Sequence, residues 1–327
     1  MTSQAEMIEF LKGSQLCALP QSASQMIELA KDPENGPQEY AVPISADLGL
    51  ATQVLRFVNS SFFGFRYKIT SIQMALSLVS VRTIRNFVLW NGLYAVLPNP
   101  HCGPFSVKML FQDALRRAAF AKLVTERYTK LDSDEAFSCA LMQDMAIPIL
   151  AQKWNREYTD MIQISNTLHV RLSTLERDRM GWDHADAGGF LALSWNLGEY
   201  VSRVVSQHTT DICAGLPSCQ PTITSITALS AFLPKVTDSQ WFEVTSFVDV
   251  FYRLFGPKMT EITEILSKTD AISGRLGGFS NLGTVSKFLS AYWRETLNSL
   301  PWTWPEDVMA TEARLEEYFP QTTLHSR

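Results

Sequence analysis

Apolar residues recur three or four apart along almost every long segment of this chain, the spacing that lines up one face of a helix. In residues 47–58 the repeating set is Leu48, Ala51, Val54, Leu55 and Val58, with Asp47 placed to cap the first turn through its side-chain oxygen. Thr70 and Ser71 open a second helix carrying Ile72, Ala75, Leu76 and Val79. Ser80 offers a cap for a third, striped by Val81, Ile84, Val88 and Leu89. Residues 106–129 contain neither Gly nor Pro and are amphipathic, so they read as one long helix. Residues 134–152, 184–194 and 198–208 also read as helices. The segment from Trp241 to Phe255 is rich in Val and Phe, but Trp241, Val244, Val248, Phe251 and Phe255 fit helical spacing better than strict alternation. No pair of alternating runs is joined by Asn-Gly or Asp-Gly, so the hairpin signal is absent. The expected fold is all-α.

Breaks rich in Gly, Pro, Ser or Asn fall at 98–104, 211–221 and 273–283. The middle one is the best domain boundary. After Pro301 the chain offers one short acidic amphipathic helix. With 46% hydrophobic residues, disordered and collagen-like folds are excluded. The formal net charge of −5 argues against a general nucleic-acid binder. No apolar run is long enough to span a bilayer, and the N-terminus lacks the apolar core of a secretory signal. Five cysteines, an odd number, are widely spaced with no C-x-x-C pair. A disulfide framework or structural zinc site is therefore not expected, and a reducing cytoplasmic setting is.

Catalytic signatures are mostly missing: there is no phosphate-binding Gly-rich loop, no H-E-x-x-H and no G-x-S-x-G. Of the five histidines, His184 and His208 lie on expected helices in the same half as Asp144. Arg82 and Arg85 sit one turn apart on one helix face, where they could bridge an anion. The Arg116–Arg117 pair reads as surface charge. Asp183 reads as a helix cap, and His208 as an imidazole at a helix C-terminus, favoured there by the helix dipole.

Several stretches, in order, resemble the HDOD domain, an output domain related to HD-type phosphohydrolases. They are Leu19-Pro20, residues 44–47 running into 54–64, residues 69–72 with Ala75-Leu76, residues 82–86, residues 140–146 (ALMQDMA) and residues 182–188 (WDHADAG). The resemblance implies a multi-helix HD-like bundle over residues 13–210, followed by a C-terminal helical region over 221–327. No receiver pattern precedes it, so a stand-alone HDOD chain is expected. In the related hydrolases, His and Asp ligands hold one or two divalent ions, which acidify a bound water and clamp phosphate oxygens. Those ligand positions fall here at Asp113, Gln143, Asp144, His184 and His208. An amide at Gln143 is a weak ligand, and Asp113 stands where a histidine is expected, so the metal site is degenerate. The resemblance thus implies a non-catalytic bacterial signalling module with no cofactor, docking a regulatory protein partner or a small ligand such as a nucleotide. The aromatic C-terminal part (Trp241, Phe242, Phe247, Phe251, Tyr252, Phe255) could offer a docking surface or simply be core. The alternative is a divalent-metal-dependent phosphohydrolase acting on a nucleotide or cyclic dinucleotide.

Overall fold

The structure, a computed structural model, describes residues 4–13, 21–60, 63–96, 100–103, 105–210, 219–256, 259–277 and 287–299. The described residues contain no strand. The first helices are α1 (Gln4–Gly13), α2 (Gln21–Leu29), α3 (Pro37–Ala46), α4 (Leu48–Val58), α5 (Ile72–Leu78) and α6 (Val81–Val96). The middle of the chain forms α7 (Val107–Tyr128), α8 (Ser133–Met142), α9 (Ile147–Lys153), α10 (Asn155–Leu168), α11 (Leu172–Met180), α12 (His184–Ser194) and α13 (Glu199–Gln207). The last part forms α14 (Ile223–Ala231), α15 (Val244–Phe255), α16 (Met259–Gly277) and α17 (Leu289–Ser299). Leu19, Pro20, the tail after Pro301 and most of the 211–221 boundary lie outside the described residues.

Local capping explains where several helices start. Asp47 Oδ1 accepts the Leu50 N–H at 3.0 Å, Ser71 Oγ that of Met74 at 3.2 Å and Ser80 Oγ that of Thr83 at 3.2 Å. Each satisfies an amide that the first turn leaves without an intrahelical partner. At the end of α4, Asn59 bonds the backbone of Ile69 in both directions, its Nδ2 to the carbonyl and its Oδ1 from the amide, each at 2.7 Å.

Helix α7 is the axis of the bundle, touching α6, α8, α14 and α16. Phe111, Ala114, Leu115, Ala118, Phe120 and Val124 on it are all buried, and so are Asp113, Arg116 and Arg117, so the helix is enclosed on nearly every side. Phe247 and Phe251 of α15 reach the Phe120 ring at 5.6 and 6.0 Å. Trp241, Phe247 and Phe251 are therefore core. The C-terminal helices are seated on the rest of the chain: α14 packs on α7, α8 and α13, and α16 on α7.

Three expectations change. The helix expected over 134–152 is two, α8 and α9, because Pro148 lacks an N–H and its ring clashes with the carbonyl four residues back, that of Asp144. The break expected from residue 273 begins later, since α16 runs on to Gly277. A glycine within a helix costs only about 1 kcal/mol, which the packing of α16 on α7 and α17 outweighs. Finally, Cys102 and Cys139 are free and buried, but Cys219 is disulfide-bonded, to a partner outside the described residues. An odd count without a C-x-x-C pair does not exclude a single crosslink. Among the described residues no helix is long and apolar enough to cross a membrane.

Candidate functional site

The turn that Pro148 forces after α8 carries Gln143 and Asp144. Two helices deliver the histidines to the same place. His184 is the first residue of α12, whose start is fixed by Asp183: its Oδ1 accepts the amides of Ala185 and Asp186 at 2.9 and 3.1 Å, and Asp186 Oδ2 accepts the Asp183 amide at 3.0 Å. His208 follows the last residue of α13. Helices α12 and α13 run antiparallel, since residue 184 meets 208 while Gly189 meets Ser202 and Ser206. Their close approach depends on glycine. A Cβ on Gly189 would lie 2.7 Å from Ser206 Cβ and 3.1 Å from the Ser202 carbonyl.

The result is a tight trio. Asp144 Oδ1 lies 3.4 Å from His184 Nε2 and 3.4 Å from His208 Nε2, and the two Nε2 atoms are 3.3 Å apart. All three residues are buried. The other oxygen of Asp144, Oδ2, accepts from Arg117 Nη1 of α7. Arg116 and Arg117 are thus not surface charges but 1% and 7% exposed. Burial lowers the pKa of the Arg117 guanidinium, with the Asp113 carboxylate opposing it, but a guanidinium stays charged through neutral pH. Arg116 instead donates to the carbonyls of Pro234 at 3.1 Å and Lys287 at 2.8 Å, tying the last part of the chain to α7.

Outside the trio, Glu176 of α11 is fully buried and orients His184. Its Oε2 accepts the His184 backbone amide at 3.0 Å and ring Nδ1 at 2.5 Å, while Oε1 accepts the Tyr158 hydroxyl at 2.6 Å. His208 Nδ1 donates to the Val205 carbonyl at 2.6 Å. Burial pulls His208 down to about 3, with His184 adding to the effect. It is therefore a neutral imidazole at pH 7, and the helix-dipole account of a charged ring does not hold.

The two remaining ligand positions are turned to other uses. Asp113 Oδ1 accepts the Val236 amide at 2.8 Å, and burial raises its pKa, partly offset by Arg117 and Arg116. Gln143 donates from Nε2 to the Ala140 carbonyl at 3.0 Å and to Ser230 Oγ at 3.2 Å. Asp144, His184 and His208 are thus the described residues that could hold an ion, and they fit one rather than two. Arg82 and Arg85 are elsewhere. Arg82 pairs with Glu135, Arg85 is largely buried beside Asn86 and Tyr40, and neither lines the cavity over the trio.

That cavity has a volume of about 310 Å³. Asp113, Arg117 and the trio line one side, and residues 231–243 supply the other, including Phe232, Trp241 and Phe242. Across it, Arg171 pairs with Glu243 at 3.0 Å and lies over the Phe232 ring, while His169 stacks on Phe242 with ring centres 3.4 Å apart. The sequence reading missed Glu176 and took Arg117 for surface charge; Trp241 and Phe242 of the roof it named only as a docking surface or core, with no link to the histidines.

The family model of the HDOD domain matches residues 16–210. An uncharacterized protein of Treponema pallidum (strain Nichols) is 25% identical over 197 residues, 58% of this chain and 37% of that protein. The matched stretch thus spans well under half the length of that curated relative. Among solved structures, a candidate phosphohydrolase from Shewanella amazonensis SB2B superposes with a TM-score of 0.63 at 14% identity, over 84% of this chain and 97% of its own. An HDOD domain protein of unknown function from Geobacter sulfurreducens gives 0.55 at 20% identity, over 90% and 92%. A candidate signal transduction protein from Marinobacter aquaeolei VT8 gives 0.56 at 16% identity, over 80% and 59%. At these identities the likeness is one of fold.

Proposed function

This chain belongs to the HDOD domain family, and from that premise we propose that it is a signal-transduction module that binds a regulatory partner or small ligand without hydrolysing it. In this reading residues 13–210 are the HDOD domain and 221–327 a C-terminal helical region, of which residues 231–243 roof the pocket. The observation that carries the reading is the fate of the ligand positions. Asp144 Oδ2 is bonded to Arg117, Asp113 accepts from the Val236 amide, and Gln143, bonded through Nε2 to Ser230, has only a neutral amide oxygen to offer. A clamp of two ions, which stabilises both the attacking and the leaving oxygen in phosphoryl transfer, needs more free ligands than this. The cavity nonetheless keeps an apolar side and a polar floor, the usual make-up of a small-molecule site. Arg82 and Arg85 lie outside it and are not part of this pocket.

The test is a thermal-shift screen of the full chain against nucleoside mono-, di- and triphosphates and cyclic dinucleotides. A ligand that binds only the folded state raises Tm, by an amount that grows with the logarithm of its concentration over its Kd. The expected hit loses its shift in Asp144→Asn and in Trp241→Ala. A hit insensitive to both would place binding outside the cavity.

A second reading, a divalent-metal-dependent phosphohydrolase, is favoured by the convergence of two ring nitrogens and a carboxylate oxygen within 3.4 Å of one another. When bound, an ion would supply Lewis acidity to a water. The chain's own part would be to hold that ion through His184, His208 and Asp144, with Glu176 orienting the first imidazole.

A further inference from the structure

We propose that Arg117 is a resident counter-cation of the pocket: it takes the Oδ2 face of Asp144 in place of an ion and leaves the Oδ1 face as the site of a single divalent cation. The proposal deepens the reading above by fixing what the same pocket can load.

His208 Nδ1 faces the Val205 carbonyl at 2.6 Å, and a carbonyl can only accept, so this nitrogen carries the hydrogen. His184 Nδ1 faces Glu176 Oε2 at 2.5 Å, and the same oxygen already accepts the His184 backbone amide. Each ring is thus held from behind through Nδ1 and turns Nε2, the atom that would ligate an ion, toward Asp144 Oδ1. The three candidate ligand atoms stand 3.3, 3.4 and 3.4 Å apart. Around a tetrahedral ion with bonds of about 2.0–2.1 Å, ligand atoms lie about 3.3–3.4 Å apart. The trio already has that spacing.

The Oδ2 side is different. Arg117 Nη1 is bonded to it, and Arg117 stands one turn after Asp113 on α7. A second ion would need Oδ2 together with Asp113 or Gln143. The first is taken by a guanidinium that cannot give up its charge, Asp113 is bonded to the Val236 amide, and Gln143 offers only a neutral amide oxygen, a weak ligand. The same positive charge, one carboxylate away from the open face, repels whatever ion enters there, so it sets affinity as well as number.

The experiment is a Mn²⁺ titration of the chelated full chain, followed by isothermal calorimetry and by the electron paramagnetic resonance signal of free Mn²⁺. The expected result is one equivalent, lost in Asp144→Asn. In Arg117→Met, with its fold checked by circular dichroism, binding tightens by about tenfold or more as the like charge is removed. If Arg117→Met does not fold, Arg117→Gln, whose amide still donates to Oδ2 without the charge, carries the same expectation. Two Asp144-dependent equivalents, no saturable uptake at millimolar Mn²⁺, or folded neutral variants that bind no more tightly than the wild type would each overturn the proposal. None of these readouts is turnover, so the proposal and the non-hydrolytic reading fail separately.

Discussion

Replacing Gly189 by alanine sets two effects of opposite sign against each other. Alanine is the better helix former by about 1 kcal/mol, so in open space the change stabilises. At Gly189 there is no open space: the new Cβ would meet Ser206 Cβ at 2.7 Å and the Ser202 carbonyl at 3.1 Å. Carbon atoms pack at about 3.5–4.0 Å, and neither neighbour can swing away, because one is a carbonyl and the other is attached directly to the backbone. Helices α12 and α13 must separate by several tenths of an ångström, and overpacking of this kind costs about 1–3 kcal/mol. The expected net effect is a loss of up to about 2 kcal/mol. Gly188→Ala should be milder, since its clash at 2.9 Å is with Val205 Cγ1, which can turn. Gly274→Ala, in α16 with nothing within 4 Å, should instead gain about 0.5–1 kcal/mol. Urea unfolding at constant slope reads all three. If Gly189→Ala proved as stabilising as Gly274→Ala, the helix contact that seats His184 beside His208 would be wrong, and the site with it.

Other perturbations test other parts. Glu176→Ala strands three buried donors, on Tyr158 and on the backbone and ring of His184, and should cost about 3 kcal/mol or more in urea unfolding, whereas Tyr158→Phe should cost about 1. Arg116→Met removes both bonds to the carbonyls of Pro234 and Lys287. It should lower stability by about 3 kcal/mol and speed proteolysis within 231–243; unchanged cleavage there would refute its role as the tie. The Tyr292 hydroxyl, donating to the Asp238 carbonyl at 2.5 Å beneath that roof, is pushed up to about 12 by burial, with Asp238 adding to it. The folded state then holds this proton longer than the unfolded chain, whose tyrosines titrate near 10, so stability should fall as pH rises from about 10 toward 12. Urea midpoints at pH 9 and 11 should drop more in the wild type than in Tyr292→Phe.

What could be read from the sequence was local. Asp47, Ser71, Ser80 and Asp183 announce helix starts because a cap needs only its own next few residues. The helical spacing of 244–255 outweighed its strand-like composition, and α15 agrees with it. The spacing was less exact for α4, where Leu48 is exposed and Leu50 and Phe57 are buried instead. Asp144 and His184 lie in short motifs, and the structure sets His208 beside them. Their surroundings were not legible in the same way. Whether Arg116 and Arg117 are solvated or buried depends on Pro234, Lys287 and Asp144, all remote in sequence. The diversion of Asp113 and Gln143 rests on Val236 and Ser230, from a region the family resemblance does not cover. Burial of a charge is a tertiary event, and no window of a dozen residues contains it.

The most direct measurement is ³¹P NMR of the full chain, loaded with Mn²⁺ and then chelated to restore sharp lines, after prolonged incubation with nucleoside phosphates and cyclic dinucleotides. A binding module whose two-ion clamp is lost leaves every resonance at its starting intensity. Conversion of any one of them by the wild type, absent in Asp144→Asn, would contradict the account and make the chain a hydrolase.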